Sequence, residues 1–299
     1  MPSQITLTKH NYFIGILVTI LLFLIVGLFL PNGGFQGDID YWIRWVTAIQ
    51  KNGIAKVYTS TDADYLPVYY YILWLYGAIC GSEQAIIDNI NYLKLFTFLF
   101  ELSLFLLSWI LLFKKTSNGL SSLLRSLLFV LNLFLLYNSL VWGQVDSIQT
   151  ALIVYAAYFA WTGSINKAII FSFIALLFKL QAIIFLPIIF LIALPNLIQQ
   201  FSFNKLFQWV LTTFITLFLI LMPWIIDNSL NNVWDVIFNS FSKFPLVSLY
   251  ALNHWHWYFD DPFYVQDSEK LGFLTYNQIG LILFAISYTA LLMPLLIAV

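Results

Sequence analysis

Two carboxylates two positions apart, Asp38 and Asp40, follow closely on an apolar run from Tyr12 to Leu30. Only 14 of the 299 residues are Asp or Glu, so an acid in this position calls for a reason. A carboxylate at a membrane surface can take a proton from an attacking hydroxyl. An Asp-x-Asp pair can also hold a divalent cation, Mg or Mn, through its oxygens. The structural alternative is a helix over Asp40–Asn52, with Tyr41, Trp45, Ala48 and Ile49 on one apolar face. Asp38 then stands where a carboxylate caps an N-terminus.

Further along, Asp62-Ala63-Asp64-Tyr65-Leu66-Pro67 runs into Val68-Tyr69-Tyr70-Tyr71. Pro67 suits the first turn of a helix, which Asp64 can cap. Alternatively, Asp64 and Tyr65 face a ligand, and the tyrosines form a platform for a sugar or a lipid phosphate. Between two long apolar runs, Trp142, Gln144 and Asp146 crowd into one short connection. A Trp face stacks on sugar C–H surfaces, while an amide and a carboxylate bond hydroxyls. The plain alternative is a turn with Asp146 as cap. Lys179 and Gln181 interrupt the run Lys167–Leu194. An ionisable residue at membrane depth points to function, here neutralising a lipid phosphate, unless Lys179 snorkels to the interface. Asn253-His254-Trp255-His256-Trp257-Tyr258 precedes Asp260 and Asp261. Histidines at i and i+2 share no helical face and have no thiol nearby, so interfacial aromatics around a substrate cavity fit better than zinc. The single Cys80 excludes an internal disulfide and a Cys-based cluster. Neither Gly-x-x-x-x-Gly-Lys nor His-Glu-x-x-His occurs, which removes support for nucleotide hydrolysis and zinc proteolysis.

These groups need elements to hold them. Hydrophobic residues make up 61% of the chain, charged residues 9%, and the mean hydropathy is +0.87. Soluble domains carry roughly 25% charge, so the expected fold is an all-α polytopic membrane protein, one bundle over residues 1–299. A net charge of −1 gives no footing for nucleic acid. Runs near the ~20 residues of a span are Tyr12–Leu30, Ile90–Phe113, Leu120–Tyr137, Ser147–Thr162, Phe207–Ile226 and Asn277–Ala298. Leu66–Cys80 is read as an amphipathic interfacial helix, because Lys9, Lys114, Lys115 and Lys167 then share the cytoplasmic side. Lys167–Leu194 becomes a hairpin with Lys179-Leu180-Gln181 at its tip. The outer face then receives a first loop, 31–80, with interfacial helices, the Asn138–Asp146 connection, the hairpin tip and a long loop, 227–276. Trp and Tyr crowd Tyr41–Trp45, Tyr65–Tyr76 and Tyr250–Tyr264, as residues near a membrane surface do. The chain stops at Val299 directly after an apolar run, so the expectation is either that the sequence ends early and more helices follow or that the protein is an unusually short member of its kind.

Taken in order, five motifs resemble those of integral-membrane glycosyltransferases of the GT-C class. Within the class, they are most similar to the family related to the second GPI mannosyltransferase. They are Gly37-Asp38-Ile39 with Trp45; Asp64-Tyr65-x-Pro67 with Tyr71 and Trp74; Trp142-Gly143-Gln144-x-Asp146-Ser147; Phe178-Lys179-x-Gln181; and Ser248-Leu249-x-Ala251-x-Asn253-x-Trp255. The resemblance runs from about Thr8 to Trp257 and implies a GT-C-like transmembrane bundle. It implies transfer of a hexose, mannose in first place, from a polyprenyl-phosphate donor such as dolichyl phosphate mannose. The acceptor is a hydroxyl of a lipid or glycan, on the periplasmic or lumenal face of a bacterial inner membrane or endoplasmic reticulum. Asp38 takes the general-base role, with Asp40 as runner-up. Asp64, Tyr65, Trp142, Gln144, Asp146, Lys179, Gln181, Asn253 and Trp255 are the expected substrate contacts. The chain departs from the pattern at Leu66 and Leu180, where relatives often carry Pro. Two rivals remain: a transporter or flippase for a lipid-linked or small polar substrate, and a non-catalytic truncated paralogue. Polar residues gathered on one face, rather than at a midplane between repeats, count against the transporter.

Overall fold

The structure is a computed structural model and describes residues 9–240, 243–249 and 253–298. Thr8, Tyr250, Ala251 and Val299, which figure in the motifs and boundaries above, lie outside the described residues. Apart from one two-residue hairpin, Lys270–Leu271 with Leu274–Thr275, the described regular elements are helical.

Helix α1 (Lys9–Leu28) leads through a loop to α2 (Gln36–Asn52) and the short α3 (Val57–Ser60). Then come α4 (Pro67–Cys80), α5 (Glu83–Asn89) and the long α6 (Lys94–Thr116). Helices α7 (Gly119–Val130) and α8 (Leu133–Leu136) run into a π-helical turn, Tyr137–Trp142. Helices α9 (Asp146–Trp161) and α10 (Ile165–Phe178) follow. A 3-10 turn, Leu180–Phe185, leads from α10 to α11 (Leu186–Gln200) and on to α12 (Phe203–Ile226). Helices α13 (Leu230–Asn239) and α14 (Tyr276–Ala298) complete the described chain.

Among the described residues, four helical stretches are long and apolar enough to cross a membrane: Glu83–Thr116, Leu180–Gln200, Phe203–Ile226 and Tyr276–Ile297. A fifth arises if Gly119–Val130 and Leu133–Trp142, bent by 43°, count as one span. The expected unbroken helix Leu120–Tyr137 is therefore replaced by two pieces. The break has a local cause, since the Asn132 side chain caps α8 by accepting from the Phe134 N–H. The expected span Ser147–Thr162 forms α9, whose 16 residues rise about 24 Å, short of a ~30 Å hydrocarbon core.

The Leu66–Cys80 region corrects the platform expectation. It is helical as α4, but Tyr69, Tyr70, Leu73 and Tyr76 are buried against Trp42, Trp45, Val46 and Ile49 of α2. Spacings of three and four put Tyr69, Leu73 and Tyr76 on one stripe, and that stripe meets the apolar face of α2. Two of the hydroxyls are spent on backbone: Tyr70 accepts from the Tyr65 N–H at 3.0 Å, and Tyr76 donates to the Asn89 carbonyl at 2.6 Å, while the Tyr69 hydroxyl is buried without a hydrogen-bond partner among the described residues. Tyr69 and Tyr70 are thus core, not a surface on which a sugar could lie. Helix α2 starts four residues before the expected Asp40. Its buried face holds Trp42 together with Trp45, Ala48 and Ile49, while Tyr41 is exposed.

The hairpin over Lys167–Leu194 takes shape as α10 and α11. The end of α11 returns to the start of α10, where the Gln200 side chain donates to the Gly163 carbonyl at 3.1 Å. Ile189 and Ala193 pack there on Ile165, Ala168 and Ala160. Lys179 is the residue at which the helix breaks, with φ −152° and ψ 129°.

Candidate active site

The chain brings Asp38 to its place through the loop before α2. Lys94, buried at the start of α6, donates to the carbonyls of Pro31 at 2.9 Å and Gly33 at 2.5 Å. The Phe35 N–H donates to the Trp142 carbonyl at 3.0 Å. A Cβ at Gly34 would stand 2.6 Å from that same carbonyl oxygen, so only glycine permits this approach. The loop is thereby fastened to the π-helical turn. π turns recur at functional sites because they re-aim side chains. Here the turn ends at Gly143 with φ +93°, a conformation that costs other residues roughly 1–2 kcal/mol. The N–H groups of Gly143 and Gln144 both donate to the Asn138 carbonyl, at 3.1 and 2.8 Å.

That reversal delivers Gln144 to Asp38, whose Oδ2 accepts from Gln144 Nε2. Asp38 lies in the first turn of α2 but makes no capping bond; Phe35 is the N-cap residue and gives no side-chain cap. Burial pushes the Asp38 carboxyl above the ordinary aspartate range. The Trp142 indole and the Lys179 ammonium pull it back only in part, and Asp146 adds a further push upward. A carboxylate so placed is a stronger base than a solvated one.

Asp146 opens α9 and likewise caps nothing. Its Oδ1 accepts from Lys179 Nζ at 2.6 Å, and the ammonium lies 5.1 Å from the centre of the Tyr65 ring. The Lys179 carbonyl accepts from Gln149 of α9 at 2.8 Å, which fixes the break in the hairpin. Tyr65 is held at both ends of its peptide unit, its N–H by the Tyr70 hydroxyl and its carbonyl by the Tyr58 hydroxyl.

Asp38 and Lys179 open onto one cavity of about 570 Å³, with Gln181 beside them. Its aromatic surface comes from Tyr41, Trp42, Trp45 and Tyr65. Asp64 also lines it, paired with Lys243 from the segment after α13. Of the residues singled out in the sequence, the fold thus gathers Asp38, Asp64, Tyr65, Lys179 and Gln181 at the cavity. Gln144 and Asp146 stand behind Asp38 and Lys179 as their partners. Trp142 packs near Phe35 and Tyr137, with ring centres 6.0 and 6.3 Å away.

Three residues lie apart from this cluster. Asp40 is exposed and accepts from Gln36 at 2.7 Å. Residues i and i+2 of a helix face different ways, so the Asp38–Asp40 chelate for Mg or Mn is not formed. Among the described residues, no three His, Cys, Asp or Glu side chains converge as a metal site. Asn253 caps the turn His254–Trp257, while Trp255 packs on Tyr276 at 5.1 Å and lines a separate, smaller cavity.

Two participants escaped the sequence reading. Lys243 is one of only two Lys or Arg residues between 227 and 276, a signal available in the charge pattern. Glu101 is the sole acid inside Ile90–Phe113 and is fully enclosed. It accepts from Ser147 at 2.6 Å and from Ser139, so it ties α6 to both the π turn and α9.

No protein-family model, curated protein or solved structure matches the chain.

Proposed function

We propose that the chain is a polytopic membrane glycosyltransferase that moves a hexose, mannose in first place, from a polyprenyl-phosphate donor to an acceptor hydroxyl. The observation that carries this reading is the pairing of Asp38 and Lys179 at one aromatic-lined cavity, each oriented by the segment Trp142–Asp146. Asp38 takes the proton from the acceptor O–H as that oxygen attacks the anomeric carbon. The bond from this carbon to the phosphate oxygen breaks, and its electrons leave on the phosphate. The leaving group departs as an anion and needs no acid. Cations at the cavity stabilise it, and aromatic faces hold the sugar. Positioned proton transfer of this kind contributes about 10²–10⁴-fold.

In this reading the long apolar helices cross the membrane, and the cavity opens on the periplasmic or lumenal side, where 31–80 and 227–276 lie. The five ordered motifs support it, as does the convergence of residues from four of them. The direct test incubates the purified protein with several polyprenyl-phosphate sugars and follows loss of donor, with and without EDTA. The expected result is consumption of at least one donor. Survival of every donor would sink the proposal.

A transporter is the second reading, because the breaks at Leu131–Asn132 and at Lys179 resemble the interrupted helices that carriers use. Movement of a lipid-linked sugar across protein-containing vesicles, without cleavage of its phosphate bond, would favour it.

A further inference from the structure

The cavity holds two cations, and they are not equally available. The Lys179 side chain is 17% exposed and is shared between Asp146 and the Tyr65 ring. Lys243 is 42% exposed, and its partner Asp64 is 32% exposed on a short loop between α3 and α4. Asp38 and Asp64 at the cavity and Asp146 behind it set three carboxylates against two ammonium groups, and Asp62, which also acts on Lys243, is already matched by Arg44. A further anion entering this cavity meets net repulsion unless one carboxylate gives way. Asp146 starts a helix and is tied to a mostly enclosed lysine. Asp64 sits on irregular chain and can turn into solvent at small cost, because a partly exposed ion pair is worth only about 1 kcal/mol.

We propose that Lys243 is the anion-holding residue of the cavity, and that the phosphate monoester of a lipid displaces Asp64 from it. Asp64 is then a gatekeeper that keeps Lys243 neutralised until a ligand with more charge arrives. A phosphate monoester fits this exchange, since its charge and its three oxygens outcompete a single carboxylate for one ammonium. The lipid source follows from the walls beside Lys243. Phe244, Leu180 and Ile183 line the same cavity, and Ile183, Ile184 and Phe185 are exposed on the outside of the break. The apolar chain of a lipid has a continuous apolar path there, which free phosphate does not use. Lys179 keeps Asp146 throughout and acts on the ligand at longer range. The inference rests on the reading of this cavity as a transferase site, where breaking the sugar–phosphate bond turns the donor's phosphodiester into such a lipid monoester.

The test measures binding without any sugar or acceptor. Full-length protein in phosphatidylcholine nanodiscs is titrated with decaprenyl monophosphate, with decaprenol and with inorganic phosphate, and the change in total tryptophan fluorescence, to which Trp42 and Trp45 at the cavity contribute, reports occupancy. Lys243→Gln is expected to weaken decaprenyl monophosphate roughly tenfold, the loss of one charge-assisted hydrogen bond. Asp64→Asn removes the competitor and is expected to tighten it severalfold. Neither change should alter decaprenol, and inorganic phosphate should bind far more weakly than the lipid phosphate. Unchanged affinity in Lys243→Gln would overturn the proposal, as would an Asp64→Asn that weakens binding as much as Lys243→Gln. Inorganic phosphate binding as tightly as the lipid form would overturn the lipid assignment. If the two variants behave as expected while no sugar donor is ever consumed, the phosphate site stands and the transferase reading falls.

Discussion

Replacing Asp146 by Asn tests whether Lys179 is held as the structure places it. The pair is asymmetric: the lysine side chain is 17% exposed and the aspartate 48%. Removing one partner of a fully buried pair costs about 3–5 kcal/mol. An exposed pair is worth about 0–1 kcal/mol. With one side mostly enclosed and the other half in solvent, Asp146→Asn should cost about 1–2 kcal/mol, nearer the exposed limit. The loss is softened because Lys179 keeps the Tyr65 ring at 5.1 Å, a contact worth about 0.5–1 kcal/mol. A double-mutant cycle with Lys179→Met isolates the pair, and its coupling energy should be about 1 kcal/mol. Reversible unfolding in mixed micelles, followed by tryptophan fluorescence, provides the four stabilities. A coupling below about 0.3 kcal/mol, the additivity limit for independent sites, would refute the pairing and the placement of the hairpin break against α9.

Gly34→Ala should reduce turnover more than stability. Its Cβ meets a backbone carbonyl that cannot yield, so the loop carrying Asp38 must lift from the π turn. The expected stability cost is about 1–3 kcal/mol, and kcat should fall together with the loss of the Phe35–Trp142 bond. With Asp38 as the proposed base, the acid limb of kcat/KM should lie above pH 3.8, because burial raises its carboxyl and only the ionised form accepts a proton. Stability runs the other way at this residue. A raised folded-state value gives stabilisation that is present below pH 3.8 and lost as pH rises through the raised value, which chemical denaturation across that range would report. Glu101→Ala should destabilise the fold by about 1–3 kcal/mol, because it takes the shared acceptor from two buried hydroxyls and leaves Ser139 and Ser147 only each other, 2.9 Å apart. Glu101→Gln, which keeps an acceptor for Ser139 and Ser147, should be much milder in the same unfolding assay.

How far the sequence discloses this arrangement depends on the kind of residue. Apolar runs near 20 residues mark α6, α12 and α14, because transfer into an apolar medium depends on composition and length alone. The break at Lys179 is legible for the same reason: a charge inside an apolar run has to be accommodated. The tyrosines of α4 read as a ligand platform because such a surface and a face packed on α2 carry the same amphiphilic side chains. Only the facing tryptophans of α2, distant in sequence, decide between them. Capping was a fair expectation for Asp38 and Asp146, yet both carboxylates bond partners 106 and 33 positions away. Local patterns cannot disclose such pairs. Lys243 was hidden because nothing nearby in sequence links it to Asp64. Glu101 carries the same signal as Lys179, a charge inside an apolar run, but its partners Ser139 and Ser147 lie 38 and 46 positions away.

The most direct measurement is turnover by Asp38→Asn on a consumed polyprenyl-phosphate sugar, with folding checked in the same preparation. Asparagine keeps an oxygen acceptor for Gln144 and removes the half-buried charge, so the variant should fold at least as stably as the parent at neutral pH. It should lose about 10²–10⁴-fold in kcat, the contribution of a positioned base. A stable Asp38→Asn protein that transfers sugar at the parent rate would contradict the account.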